Sequence, residues 1–128
     1  MRYLVLLLAG LWFALAAAAA SLAPATRAEI DGLLSRLETS GCEFNRNGSW
    51  YTGAEAKTHL LSKLKYFEDK GGVQTTEQFI ERAASSSSMS GQAYLVRCAG
   101  AAPVQSSTWL LAQLQAMRTG IGRPRGAP

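Results

Sequence analysis

Glu55, His59 and Lys63 fall one helical turn apart, and Tyr66 lies a further turn on, so a helix through this stretch puts all four along one flank. On that flank a carboxylate could orient the imidazole as a general base. The same spacing also suits a solvated polar face with ordinary i,i+4 pairs. The run Ser85-Ser86-Ser87-Ser88-Met89-Ser90-Gly91 is the second unusual feature, with five hydroxyls close to the end of a helix. Such hydroxyls could serve an anion or a sugar, or simply end the helix by competing for backbone bonds. A helix C-terminus repels anions, so the anion reading needs Arg46 or Arg97 to supply charge. The candidate ligand-binding residues are therefore Arg46, His59, Ser88, Ser90, Tyr94 and Arg97. No catalytic residue is assigned.

These residues must be positioned by helices with well-marked starts. Thr26-Arg27-Ala28-Glu29, Thr52-Gly53-Ala54-Glu55 and Thr75-Thr76-Glu77-Gln78 each read as a capping box. Apolar residues follow each at helical spacing: Ile30, Leu33, Leu34 and Leu37; then Ala56, Leu60, Leu64 and Phe67; then Phe79, Ile80, Ala83 and Ala84. A fourth helix is expected from Ser107, with Trp109, Leu110, Leu114 and Met117 on one side. Between the first two helices, Asn47-Gly48 signals a tight hairpin. Gln92 to Cys98 alternates as a strand, with Tyr94, Val96 and Cys98 on one face and Leu95 and Arg97 on the other. The expected fold is α+β: about four helices on a small antiparallel sheet of two or three short strands. Trp50, Tyr51, Tyr94 and Trp109 are expected in the core or at its edge.

The compartment comes from the N-terminus. After Arg2 no charge occurs from Tyr3 to Ala20, and the run shifts from bulky residues to alanine. That grading is a secretory signal peptide pattern, residues 1–20, with cleavage expected between 20 and 25. The chain has 128 residues. The expected remainder holds one compact domain over 26–118 and a disordered Gly/Pro/Arg tail over 119–128, with no span left to cross a membrane. In an oxidising compartment Cys42 and Cys98 are expected to pair, closing a long loop. With one histidine and no C-x-x-C there is no sign of a zinc site, and neither metal nor cofactor is expected. The formal net charge of +4 is mild and reads first as a solubility feature. Nucleic-acid binding through Arg118, Arg123 and Arg125 is the less favoured reading.

Taken together, Phe44, Arg46-Asn47-Gly48, Glu55-Ala56, His59-Leu60, Lys63-Leu64, Thr76 to Ile80, Ala84 to Ser88, Ser90-Gly91, Tyr94 and Val96 resemble the YfeK-like family of small exported bacterial proteins, a domain of unknown function. The resemblance implies a periplasmic location and a single domain, and it carries over no site residue. Two shorter likenesses are weaker. Ser62-Lys63-Leu64-Lys65 has the S-x-x-K spacing of penicillin-binding enzymes without their companion motifs, a chance match. Ser90-Gly91-Gln92-Ala93-Tyr94 resembles the S-G-x-x-Y stretch of periplasmic lysozyme inhibitors, which are β-barrels. The expectation is a soluble periplasmic binding module for an unidentified envelope partner or small ligand. The alternatives are a small hydrolase or transferase pairing His59 with a serine of the 85–90 run, and a lysozyme-inhibitor-like protein.

Overall fold

Helix α1, Pro24–Thr39, carries Ile30, Leu33, Leu34 and Leu37 on its buried side, as their spacing requires. The computed structural model describes residues 21–120. The expected signal peptide over 1–20 and residues 121–128 of the tail lie outside the described residues. Proline occupies the first turn of α1, where its missing N–H costs nothing. The helix starts two residues before Thr26, with Ala23 at its N-cap and no side-chain cap, so the first expected capping box does not form. Its would-be acceptor, Glu29, is engaged elsewhere: it accepts from Thr76 Oγ1 at 2.6 Å and from Arg118 Nη2 at 2.8 Å.

Strands β1, Glu43–Arg46, and β2, Ser49–Thr52, form the hairpin signalled by Asn47-Gly48. Asn47 sits at φ 52° and Gly48 at φ 86°. These angles suit the primed turns that match strand twist, and Asn and Gly tolerate them best. Helix α2, Gly53–Asp69, begins directly at the end of β2. Its capping box is complete: Thr52 Oγ1 accepts from the Glu55 amide, and Glu55 accepts from the Thr52 amide. We expect Thr52→Ala to cost about 1 kcal/mol, read as a melting point lower by several degrees, with Thr52→Ser close to wild type. Equal melting of the alanine variant and wild type would contradict this.

Helix α3, Thr76–Arg82, has half of the expected box. Thr75 accepts from the Gln78 amide, but the Gln78 side chain turns to the Gln74 amide at 2.8 Å. Strand β3, Leu95–Arg97, follows the serine loop, and β4, Val104–Gln105, leads straight into helix α4, Ser106–Thr119. α4 thus starts one residue earlier than expected and takes in Thr119, which the sequence assigns to the tail. The sheet is antiparallel throughout, in the order β2-β1-β3-β4. It has one more strand than expected, because the two residues of β4 are too few to show an alternating pattern.

Charge pairs at the surface report how the helices lie. Arg27 grips both carboxylate oxygens of Glu68 at 2.5 and 2.6 Å, and Lys57 meets Glu38 at 2.6 Å. The start of α1 is thereby tied to the end of α2 and the reverse, so the two helices run antiparallel. Arg118 contacts Glu29 and Glu77, joining α4 to α1 and α3. This arginine is therefore spent inside the fold and is not part of a free basic tail. The core gathers Leu33, Leu37, Phe44, Leu60, Leu64, Phe79, Ile80, Tyr94, Val96, Leu110 and Leu114. Of the four aromatics, Tyr94 is fully buried, whereas Trp50, Tyr51 and Trp109 are half-buried at the edge. The Cys42–Cys98 disulfide is formed, bridging the residue before β1 to the residue after β3. Among the described residues no helix is long and apolar enough to cross a membrane.

Candidate functional site: a basic groove between the hairpin and α2

Strand alternation sends Arg46 to the same side of the sheet as the buried Phe44, toward α2. There Arg46 Nη1 donates to His59 Nδ1 at 2.6 Å and lies 3.2 Å from Nε2. A guanidinium only donates, so Nδ1 accepts and the ring proton belongs on Nε2, a tautomer assigned from its partners. Nε2 then donates to the Tyr94 hydroxyl at 3.2 Å. Lys63, one turn beyond His59, donates to the same hydroxyl at 3.0 Å and to the Ser86 carbonyl at 2.7 Å. With both lone pairs of its oxygen taken, Tyr94 keeps its own proton available to donate.

Tyr94 can serve as this hub because its backbone is held from both sides. Its amide donates to the Ser85 carbonyl at 2.9 Å, and its carbonyl accepts from the Ser106 amide at 2.8 Å. Its ring packs on Phe44, with centroids 5.0 Å apart. The serine run forms a tight loop whose hydroxyls mostly serve the backbone: Ser87 Oγ accepts from the amides of Met89 and Ser90. The loop is latched to the hairpin turn, since Ser90 Oγ donates to Asn47 Oδ1 at 2.6 Å and Asn47 Nδ2 donates to Ser87 Oγ at 3.4 Å.

Two adjoining hollows result, sharing Arg46, His59 and Ser62. One, of about 360 Å³, runs toward Phe44, Tyr51 and Thr58. The other, of about 330 Å³, runs toward Lys63, Tyr66, Ser87, Ser88 and Met89. Volumes of this order suit small organic molecules. Glu55 borders the first hollow, but its carboxylate is committed to Thr52. Among the described residues neither Arg46 nor Lys63 forms an ion pair. The consequence shows in the titrations. Burial, followed by the nearby Arg46, pushes the Lys63 ammonium down to about 8. Burial and the same two cations hold His59 below its usual range, so it is neutral at pH 7. Burial raises the Tyr94 hydroxyl.

The structure thus gathers Arg46, His59 and Tyr94, sets Ser88 on the wall of the groove and makes Ser90 part of the latch. Arg97 is elsewhere: it pairs with Glu43 at 3.0 Å and stacks over Trp50 on the other side of the sheet. The Glu55–His59–Lys63 flank exists, but its members reach across to other elements and do not pair with each other. Arg46, not Glu55, orients the imidazole. The hydrogen-bond partners of His59 are Arg46 and Tyr94, with no serine among them. Tyr94 is 1% exposed, so its ring is not presented to a partner's cleft as a lysozyme-inhibitor reading would need. Lys63 and Asn47 were missed as site residues. Lys63 was signalled by its place one turn after His59, and Asn47 only by the turn it makes. Among the described residues no group of His, Cys, Asp and Glu is placed to hold a metal ion.

Fold and groove together define a small disulfide-closed α+β domain with a cation-lined hollow. The chain belongs to a family of unknown function, DUF5329, whose model matches residues 24–118. It is similar to the uncharacterized protein YfeK of Salmonella typhimurium strain LT2, with 38% identity over 68 residues. That match covers 52% of this chain and 55% of the relative, so the chain spans about half the length of the curated protein it matches. No solved structure matches.

Proposed function

We propose that this chain is an exported periplasmic binding protein whose groove between the hairpin and α2 takes a small organic anion. The observation that carries the reading is the convergence of Arg46 and Lys63 on one hollow with no carboxylate to neutralise them. Unpaired cations held half-buried are costly until an anion arrives. The Tyr94 hydroxyl, which accepts from His59 and Lys63 and keeps its own proton, adds a donor beside them. Export is supported by the graded N-terminal run and by a disulfide, which persists in oxidising compartments. Fractionation of cells expressing the full chain, with sequencing of the mature N-terminus, tests that part. A cytoplasmic, uncleaved product would overturn it.

Binding is tested by calorimetric titration with a panel of small carboxylates and phosphates. Arg46→Ala is expected to weaken the best ligand by roughly 10- to 100-fold, the loss of a charge-assisted bond. Because Lys63 loses its charge above about 8, affinity should hold at neutral pH and fall as pH rises through that value. Affinity that ignores both Arg46→Ala and pH would sink the anion reading.

A further inference from the structure

We propose that Lys63 is a carbonyl-reactive amine, and that the groove captures aldehydes or ketones bearing a carboxylate or phosphate as an imine on its Nζ. The inference rests on the anion reading of the groove and goes beyond it to covalent binding. Its basis is the setting of one side chain. Nζ is half-buried, both of its partners are neutral oxygens, and no carboxylate holds it in the charged form. Amines in such surroundings, close to another cation, are the ones that add to carbonyls. With the ammonium pushed down to about 8, ~half of it is neutral at pH 8, against well under ~1% of an ordinary lysine. Arg46 opens onto the same hollow and would seat the anionic end of the incoming molecule.

The step balances without any further reactant. The Nζ lone pair attacks the carbonyl carbon and the carbonyl π pair moves to oxygen, which takes a proton to give a carbinolamine. The hydroxyl then leaves as water while nitrogen forms the double bond and sheds its remaining extra proton. The two hydrogens of the amine end up in that water. Tyr94 is 3.0 Å from Nζ and has a proton to donate. It can protonate the departing hydroxyl and recover the proton that nitrogen releases.

Borohydride trapping at pH 8 with peptide mapping tests this, using glyoxylate, pyridoxal 5′-phosphate and, as the neutral control, propanal. The chain has four lysines, Lys57, Lys63, Lys65 and Lys70. The expected result is reduced adduct concentrated on Lys63, formed roughly tenfold faster than on the other three, and faster with an anionic carbonyl than with propanal. Which of glyoxylate and pyridoxal phosphate leads tells a carboxylate ligand from a phosphate one. Lys63→Arg should abolish the selective adduct, whereas Lys65→Arg, on the exposed side of α2, should leave it intact. Adducts spread over all four lysines by exposure, or propanal reacting as well as the anionic carbonyls, would overturn the inference. If that happens while simple anions still bind and still depend on Arg46, covalent capture alone has failed. If Arg46→Ala leaves anion binding unchanged, the groove reading itself has failed.

Discussion

Reducing the Cys42–Cys98 bond under native conditions is expected to lower the melting temperature by about 15 °C or more. The two cysteines are 56 positions apart. Closing a loop of that length removes denatured-state entropy of roughly 4 kcal/mol in the chain-entropy treatment, and a domain of this size shifts by about 4–8 °C for each kcal/mol. The bond also sits where it constrains most. It joins residues flanking the Glu43↔Arg97 pair of neighbouring strands, so it pins the register of β1 against β3 at one end. The hairpin, α2, α3 and the serine loop all lie inside the covalent loop. Reduction is a cleaner test than substitution, because Cys42 is itself part of the core. Alkylated and oxidised protein melting at the same temperature would remove the bond from any account of this fold's stability.

The second large effect is expected from Gly53→Ala. A β-carbon at Gly53 would collide with the Leu37 carbonyl oxygen, and would lie 3.0 Å from the Leu37 carbonyl carbon and 3.1 Å from Glu38 Cα. All three atoms are backbone at the end of α1, so nothing there can swing aside. The first turn of α2 must move, at a cost of about 2–3 kcal/mol. Because α2 carries His59 and Lys63, the same change should disturb the groove, visible as shifted NMR resonances of the His59 ring and weaker anion binding. Gly32→Ala supplies the contrast. Its new carbon meets only the flexible end of Met117 at 2.9 Å, and alanine favours the helix interior by up to about 1 kcal/mol. A Gly53 variant melting like the Gly32 variant would show that α1 and α2 are not packed backbone to backbone.

Local chemistry made much of this fold legible. Thr52 with Glu55, Asn47 with Gly48, and the leucine spacings of α1 and α2 each specify their element from neighbours a turn or less away. The first capping box failed because Glu29 is claimed by Thr76 and Arg118, 47 and 89 positions distant, and no local pattern reports such competition. The groove was half legible for the same reason. Periodicity put His59 and Lys63 on one flank, and strand parity put Arg46 on the side of Phe44. That His59 and Lys63 meet on Tyr94, with Arg46 held against His59, depends on how α2 crosses the sheet. Strand parity did contain a warning about Arg97: it alternates with Tyr94 and Val96, so it had to face away from them.

Arg118 reaches across 89 positions to Glu29, and this has a consequence for how the molecule comes into being. A polypeptide delivered from its N-terminus, by a ribosome or through a membrane pore, cannot clasp α1 and α3 with α4 until residue 118 has emerged. Through all of that interval the greasy side of the first helix lacks its final cover. Biogenesis, more than the finished molecule, is therefore when that apolar side stands open to water.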